Sequence, residues 1–298
     1  MNDNITPYVR YIGADDKDLD LFESQYVVPQ GISYNSYVIT DEKIAVMDTI
    51  DQRKTEEWTV RLEEALEGRT PDYLIVQHME PDHAANIGWF AEKYPEATIV
   101  ASAKAIQMMP QFFEEVNFAG RTQTVKEGDT LCLGQHTLKF IMAPMVHWPE
   151  VMLTYEESEK ILFSADAFGK FGALCHEGEW IDEARRYYFN ICGKYGTQVK
   201  NVLKKATSPC PQAICPLHGP VLRGAALQQA VSLYGTWSSY EPESEGVLVA
   251  YASIHGGTKK AAERLADMLR EKGAKKVVLA DLTRSDMAEV IEDAFRYP

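Results

Sequence analysis

Short apolar runs recur along this chain, and four of them lead into a histidine or an aspartate. DYLIVQ at 72–77 is followed directly by His78, KFIMAP precedes His147, ILFSA precedes Asp166, and AICPL precedes His218. Runs of this length read as strands, because a membrane-spanning helix needs about 18 uninterrupted apolar residues. Between them lie stretches with helical spacing. In 55–67, Trp58, Leu62, Ala65 and Leu66 fall on one face, and Gly68 and Pro71 end the helix. AANIGWFAEKYP, AKAIQMMPQFFEE, 182–206 and AALQQAVSLYGTWSSY read the same way. Other strands are joined by hairpins: 35–50 turns on Asp41-Glu42-Lys43, 122–144 holds a hairpin-like series, and 151–166 is hinged on Glu156-Glu157-Ser158. Strands linked both by helices and by hairpins specify an α/β class with layered sheets. The repeated placement of donors past strand ends predicts that one sheet edge presents them all.

The pattern changes at 241–245, an acidic, proline-containing stretch with the composition of a linker. GVLVAYAS then reads as a buried strand, TKKAAERLADMLREKG as an amphipathic helix, KKVVLADL as a strand and MAEVIEDAF as a helix. This β-loop-α-β-α order opens a doubly wound parallel fold. The expected division is therefore 1–244 and 245–298, the second part reading as an incomplete domain because two strands and two helices cannot cover both faces of a parallel sheet.

The formal net charge of −14 excludes a nucleic-acid or anionic-membrane partner as the natural reading. The opening MNDNITPYVR lacks the basic-then-apolar pattern of a secretory signal. The five cysteines are scattered and form no Cys-x-x-Cys pair, which fits reduced thiols in the cytoplasm and speaks against a four-cysteine iron site.

His78-Met-Glu80-Pro-Asp82-His83 packs four potential metal donors into six residues. Alternate side chains leaving a strand end fan into one cavity, whereas adjacent Asp82 and His83 diverge and serve different ions or faces. Singly, each donor has an ordinary reading: Asp82 as a helix cap, Asp166 as a turn cap, His147 and His218 as satisfied structural histidines. Together with His147, Asp166 and His218, the coincidence points to a pair of metal ions. Asp48, in AVMDT, is a candidate to orient a ligand histidine. His136 and His176 read as surface or local-contact residues. Ser253-Ile-His255-Gly256-Gly257-Thr258 lies between a strand and a helix, where backbone N–H groups and hydroxyls can cradle a phosphate.

His78-x-Glu80-x-Asp82-His83 with His147, Asp166 and His218 downstream resembles the flavodiiron proteins, also called A-type flavoproteins, over nearly the whole chain. The resemblance implies a metallo-β-lactamase-like αββα sandwich followed by the start of a flavodoxin-like domain. It assigns His78, Glu80 and His147 to one iron, Asp82, His83 and His218 to the other, and Asp166 as their bridge. Hydrolases of this superfamily typically carry histidine where Glu80 stands and bind zinc; the harder carboxylate oxygen suits iron. Ser253, His255, Gly256, Gly257 and Thr258 resemble the FMN phosphate loop of flavodoxins. Later loops, which hold the flavin ring in such domains, have no counterpart in the sequence.

The resemblance further implies reduction of dioxygen to water or of nitric oxide to nitrous oxide, with electrons delivered through FMN. It implies a head-to-tail homodimer, and an external donor, rubredoxin or an NADH-dependent reductase. Tyr187 and Tyr188, in ARRYYFNI, resemble a segment that places a tyrosine near the irons, and either is a candidate hydrogen-bond donor to substrate. Trp148, Phe168 and Phe171 are candidate pocket or core residues. The competing reading is a di-zinc hydrolase of the same fold acting on thioesters or phosphodiesters. A third is a non-catalytic, metal-storing or regulatory fragment.

Overall fold

The computed structural model describes residues 4–176 and 178–297. Two six-stranded sheets dominate it. The first runs Val9–Tyr11, Tyr37–Thr40, Ile44–Met47, Tyr73–Val76, Thr98–Ser102 and Thr122–Val125 in spatial order. The second runs Thr130–Cys132, Thr137–Met142, Met152–Glu156, Ile161–Phe163, Ala213–Cys215 and Leu222–Arg223. The hairpins expected at Asp41–Lys43 and Glu156–Ser158 both form, pairing Thr40 with Ile44 and Glu156 with Ile161. The chain crosses from one sheet to the other between Val125 and Thr130.

Side-chain alternation makes these sheets into layers. In Tyr73–Val76, Ile75 points inward to meet Val100, Phe140, Phe163 and Cys215 between the sheets, while Leu74 and Val76 point outward to the helices. Helix Thr55–Leu66 covers the first sheet with the expected face, Trp58, Leu62, Ala65 and Leu66 all being buried. Glu67 and Gly68 then take left-handed backbone and end it. Helices Gly196–Thr207 and Gly224–Ser238 cover the second sheet. The body is an αββα sandwich.

Some expectations need correction. The predicted helix at 182–206 is two, Trp180–Ile191 and Gly196–Thr207, separated by a short 3-10 turn at Gly193–Tyr195. His136 is buried rather than superficial; its ring Nδ1 lies 2.8 Å from Asp41. GVLVAYAS forms the strand Val247–Tyr251, parallel to Val277–Asp281, but its first three residues are only half-buried and Ala250 is exposed. The linker stretch is also pinned: Glu243 accepts from Arg185 Nε and Nη2 at 2.6 Å each and from Trp237 Nε1 at 2.7 Å. Helix Met287–Arg296 packs on Trp180–Ile191, stacking Phe295 on Phe189 at 4.6 Å. Among the described residues no helix is long and apolar enough to cross a membrane.

Candidate metal centre

The donors gather where the ends of both sheets meet, not along one sheet edge as their spacing suggested. The His78–His83 run follows Tyr73–Val76 of the first sheet; His147, Asp166 and His218 follow strands of the second. A cleft bounded by two sheets surrounds ions from opposite sides, which a single edge cannot do.

Local backbone explains the aim of each group. His78 and Glu80 leave the strand in extended chain. Pro81 then starts a single helical turn, Pro81–Ala84, and its fixed φ suits that first position. Asp82 and His83 therefore sit inside the turn and diverge by helical rotation; Asp82 caps nothing. The carbonyl of His83 accepts from Thr49 N at 3.0 Å and Thr49 Oγ1 at 2.7 Å, which fixes the turn against the first sheet.

Two groups result. In the first, the Nε2 atoms of His78 and His147 lie 3.2 and 3.0 Å from Glu80 Oε2, and 3.2 and 3.1 Å from Asp166 Oδ2. In the second, the Nε2 atoms of His83 and His218 lie 3.3 and 3.2 Å from Asp82 Oδ2, and 3.1 and 3.8 Å from Asp166 Oδ1. Each group has two imidazoles, one carboxylate of its own, and one oxygen of Asp166.

The chemistry of this set fits two cations. His78 Nε2, both oxygens of Asp82, His83 Nε2, Asp166 Oδ1 and His218 Nε2 are buried without a hydrogen-bond partner. Such orphaned atoms are costly unless something unseen satisfies them. Donors about 2.1 Å from one ion stand roughly 3.0–3.4 Å apart at octahedral to tetrahedral angles, the range of most of these separations. Among the described residues, no lysine or arginine comes within 4 Å of Glu80, Asp82, Asp166 or the nearby Glu150. That much buried negative charge needs a positive counterpart.

Proton affinities tell the same story. Burial disfavours charge on His78, yet Asp166, Glu150 and Glu80 raise its pKa well above the ordinary value. Burial is likewise outweighed at His147, which Asp166 and Glu80 push up to about 9. Against the same burial, His83 and His78 hold Asp166 well below the carboxylate range. At His78 and His147 these carboxylates favour a positive charge on the ring, at the place a metal ion would take.

The structure separates the other sequence candidates. Tyr187 lies with its ring 5.5 Å from that of His218. Tyr188 turns away into a cluster with Tyr234 and Trp237, because neighbouring helix residues point about 100° apart. Trp148 stands edge-on to His78 at 5.4 Å, at the cluster; Phe168 stacks on Tyr234 at 4.3 Å, in the core. Phe171 packs between Phe22 and Tyr187, one layer from the donors. Asp48 makes no hydrogen bond to a ligand ring: its oxygens accept from Gln77 N at 2.7 Å, Gln77 Nε2 at 2.8 Å and the backbone N of His78 at 3.4 Å, holding the strand end from which His78 leaves. Burial pushes its carboxyl up to about 6, against those bonds.

Two residues were not foreseen. Glu150 Oε1 lies 2.8 Å from His78 Nδ1, the position sought for Asp48. Glu23 stands at the mouth of a cleft of about 290 Å³ that reaches Glu80 and Asp82, where desolvation and those two carboxylates push it up to about 8. Neither belongs to a run of donors, so only the tertiary fold reveals them.

The candidate phosphate loop lies apart from this cluster. It joins Val247–Tyr251 to helix Gly257–Glu271, whose first N–H groups have no side-chain cap. Gly256, at φ +83°, takes a left-handed conformation that other residues adopt at a cost, and its N–H donates to Ser253 Oγ at 3.1 Å. Nothing lies within 4 Å of where a Cβ would stand on Gly256 or Gly257, and His255 and Thr258 are exposed. An open helix N-terminus of this kind accepts a phosphate.

Comparisons with known proteins agree with this geometry. The family described as "ODP family beta lactamase" matches residues 32–219. A "Nitric oxide reductase" of Moorella thermoacetica is 30% identical over 299 residues, covering 97% of this chain and 74% of that one. A "Rubredoxin-oxygen oxidoreductase" of Megalodesulfovibrio gigas is 30% identical over 272 residues, 88% of this chain and 67% of that one. The crystal structure of the flavodiiron protein from Giardia intestinalis superposes with a TM-score of 0.90 at 30% identity, over 98% of this chain and 72% of that one. The chain spans from half to about three quarters of the length of such curated relatives. By these matches, and with the αββα body that carries the donor cluster, the chain belongs to the flavodiiron proteins.

Proposed function

We propose that the chain is the catalytic part of a flavodiiron oxidoreductase that reduces dioxygen to water, nitric oxide to nitrous oxide, or both. The observation that carries this reading is the divided cluster: two histidine pairs, each with its own carboxylate, joined by the two oxygens of Asp166. His78, Glu80 and His147 would hold one iron, Asp82, His83 and His218 the other, with Asp166 shared. When bound there, two irons would supply redox chemistry and neighbouring positions for the two atoms of dioxygen or two nitric oxide molecules.

The chain's own residues do the rest. The largely buried walls hold the donors fixed, so little reorganisation is needed when charge develops. Tyr187, whose ring lies 5.5 Å from that of His218, would be the hydroxyl that donates to a bound substrate. Electrons would come through FMN, its phosphate held by Ser253, the N–H groups at Gly256 and Gly257, and Thr258, with His255 on the same loop. Their source would be rubredoxin or an NADH-dependent reductase, in the cytoplasm. A head-to-tail homodimer would bring the flavin of one subunit to the irons of its partner. Residues 1–244 form the di-iron domain in this reading, and 245–298 begin the flavodoxin-like one.

Elemental analysis tests the proposal directly. Two irons per chain, with consumption of dioxygen or nitric oxide once a reductant is supplied, is the expected result. Two zincs with esterase turnover would overturn it.

A further inference from the structure

We infer that Glu150 is a positioning residue that fixes the tautomer and ring direction of His78, and so governs filling of the first ion position. The inference rests on the two-ion reading of the cluster. Glu150 is 1% exposed, and no lysine or arginine pairs with it among the described residues. Its Oε1 stands 2.8 Å from His78 Nδ1 and accepts from Met79 N at 2.9 Å. Met79 N also lies 3.1 Å from Nδ1 but has the nearer acceptor in Oε1, and a carboxylate oxygen only accepts, so the ring proton is placed on Nδ1. The lone pair of Nε2 is thereby left facing Glu80 and Asp166. The opposite tautomer would point an N–H at those two carboxylates and close the position to a cation.

Glu150 is itself held. Its carbonyl accepts from Ser102 Oγ at 2.7 Å, and Ser102 caps helix Ala103–Phe112 by accepting from Ala105 N at 3.2 Å. One residue further on, Val151 O accepts from Ala143 N at 2.9 Å, and Met152 N donates to Gln77 O at 3.1 Å. The segment between Ala143 and Val151 thus delivers His147 as a donor and, three residues later, orients His78. Both imidazoles of the first group depend on this one loop.

The second group is built otherwise. His218 Nδ1 donates to the backbone carbonyl of Ser33 at 2.7 Å, a neutral acceptor that no side-chain substitution removes. His83 Nδ1 is buried with no partner. The first position therefore has a carboxylate hydrogen-bonded to one of its imidazoles, and among the described residues the rings of the second have none. A carboxylate behind an imidazole makes it a stronger donor, so the first position fills at lower metal concentration than the second.

The test compares the full wild-type chain with Glu150→Gln, Glu150→Asp and Glu150→Ala. Iron binding is measured by competition with a chelator, folding by circular dichroism, and the His78 ring proton by 15N-histidine NMR of the zinc-loaded protein. The expected result is two iron positions of unequal affinity in the wild type. In the variants one position weakens by about 10–100-fold while the other is unchanged, and the Nδ1–H resonance of His78 shifts or is lost. Should Glu150→Ala fail to fold, the other two variants decide. A folded Glu150→Gln that binds both irons as the wild type does, with an unchanged resonance, overturns the inference and leaves the two-ion reading intact. A wild-type chain that takes up no metal overturns that reading, and the inference with it.

Discussion

Strands in the two-sheet body and strands after residue 245 have much the same apolar sequence, yet they meet different fates. In the body, Ile44–Met47 and Ile161–Phe163 are buried at every position, packed on one face by the opposite sheet and on the other by helices. Val247–Tyr251 and Val277–Asp281 pair well with each other, but all five residues of the first and four of the second are at best half-buried. Nearby, Leu265 and Met268 are 47% and 41% exposed. The difference lies in layers, not in residue type: burial comes from what covers a sheet on both faces. The two regions place their chemistry accordingly. Ion-binding carboxylates and imidazoles need a dry, fixed enclosure, and the body supplies it. A phosphate loop works through open backbone N–H groups, and the later region offers those at its surface.

The sharpest way to break this contrast is to remove the group on which the body's site converges. Asp166→Ala deletes the one carboxylate shared by both histidine pairs, so both ions should be lost, and dioxygen or nitric oxide consumption should fall to background. The loss should exceed the ~10–100-fold typical of groups one layer further out. Ser253→Ala, in the exposed loop, should leave the metal content untouched. Elemental analysis of the two variants side by side checks both halves; a metal-replete Asp166→Ala chain would remove the bridge from the account.

A second, smaller effect concerns how the regions are joined. Arg185, 1% exposed, holds Glu243 of the connecting stretch through two bonds of 2.6 Å and lies 3.8 Å from Glu292. Arg185→Ala strands the Glu243 carboxylate. Breaking a buried pair from one side costs about 3–5 kcal/mol, and the partial exposure of Glu243 argues for the lower end. Hydrogen exchange should accelerate in 246–297 and hold steady in 32–219. Uniform acceleration would mean that the two regions unfold as one unit.

Much of this was legible in the sequence, for reasons that can be named. The face Trp58, Leu62, Ala65, Leu66 follows from helical periodicity, and the hairpin at Asp41–Lys43 from polar residues between alternating strands. The donors stood out because four fall in six residues and three more follow strands. What could not be read depends on contacts between distant segments. Glu150 looks like any loop acid until the fold brings it 72 positions across to His78. Asp48 had the better context, in a strand-end run, and proved to hold Gln77. Tyr187 and Tyr188 are alike in sequence and are separated only by the direction of one helix. Glu243 read as solvated linker because its partner, Arg185, is remote in the chain.

A third variant probes the exposed loop alone. Gly256→Ala places a side chain at φ +83° with nothing in its way, so the cost is the backbone's own. A left-handed conformation costs about 1–2 kcal/mol for a residue with a Cβ. Where FMN binds through this loop, affinity should drop roughly tenfold, as read by quenching of flavin fluorescence, with iron content unchanged. Unaltered flavin affinity would take the phosphate out of this loop.

The smallest effect tests whether the contact between the regions depends on pH. Burial pushes the Glu292 carboxyl up from 4.5 to about 8; Asp293 and Asp182 add to this, while Arg185 and Arg296 oppose it. The folded chain therefore keeps a proton there that the unfolded chain gives up, so stability declines as pH rises from about 4.5 to about 8 and then levels off. Glu243 works in the other direction: burial raises its pKa, but Arg185 and Trp237 hold it below the ordinary value, so its contribution is present at neutral pH and fades as the solution is acidified. Glu292→Gln removes the alkaline penalty and leaves the acid one. Its advantage over the wild type should be near zero at pH 4.5 and grow steadily up to about pH 8. Melting curves across that range decide it. A constant offset between the two proteins would show that Glu292 carries the same charge in the folded and unfolded chain, and that Glu243 alone makes the junction sensitive to pH.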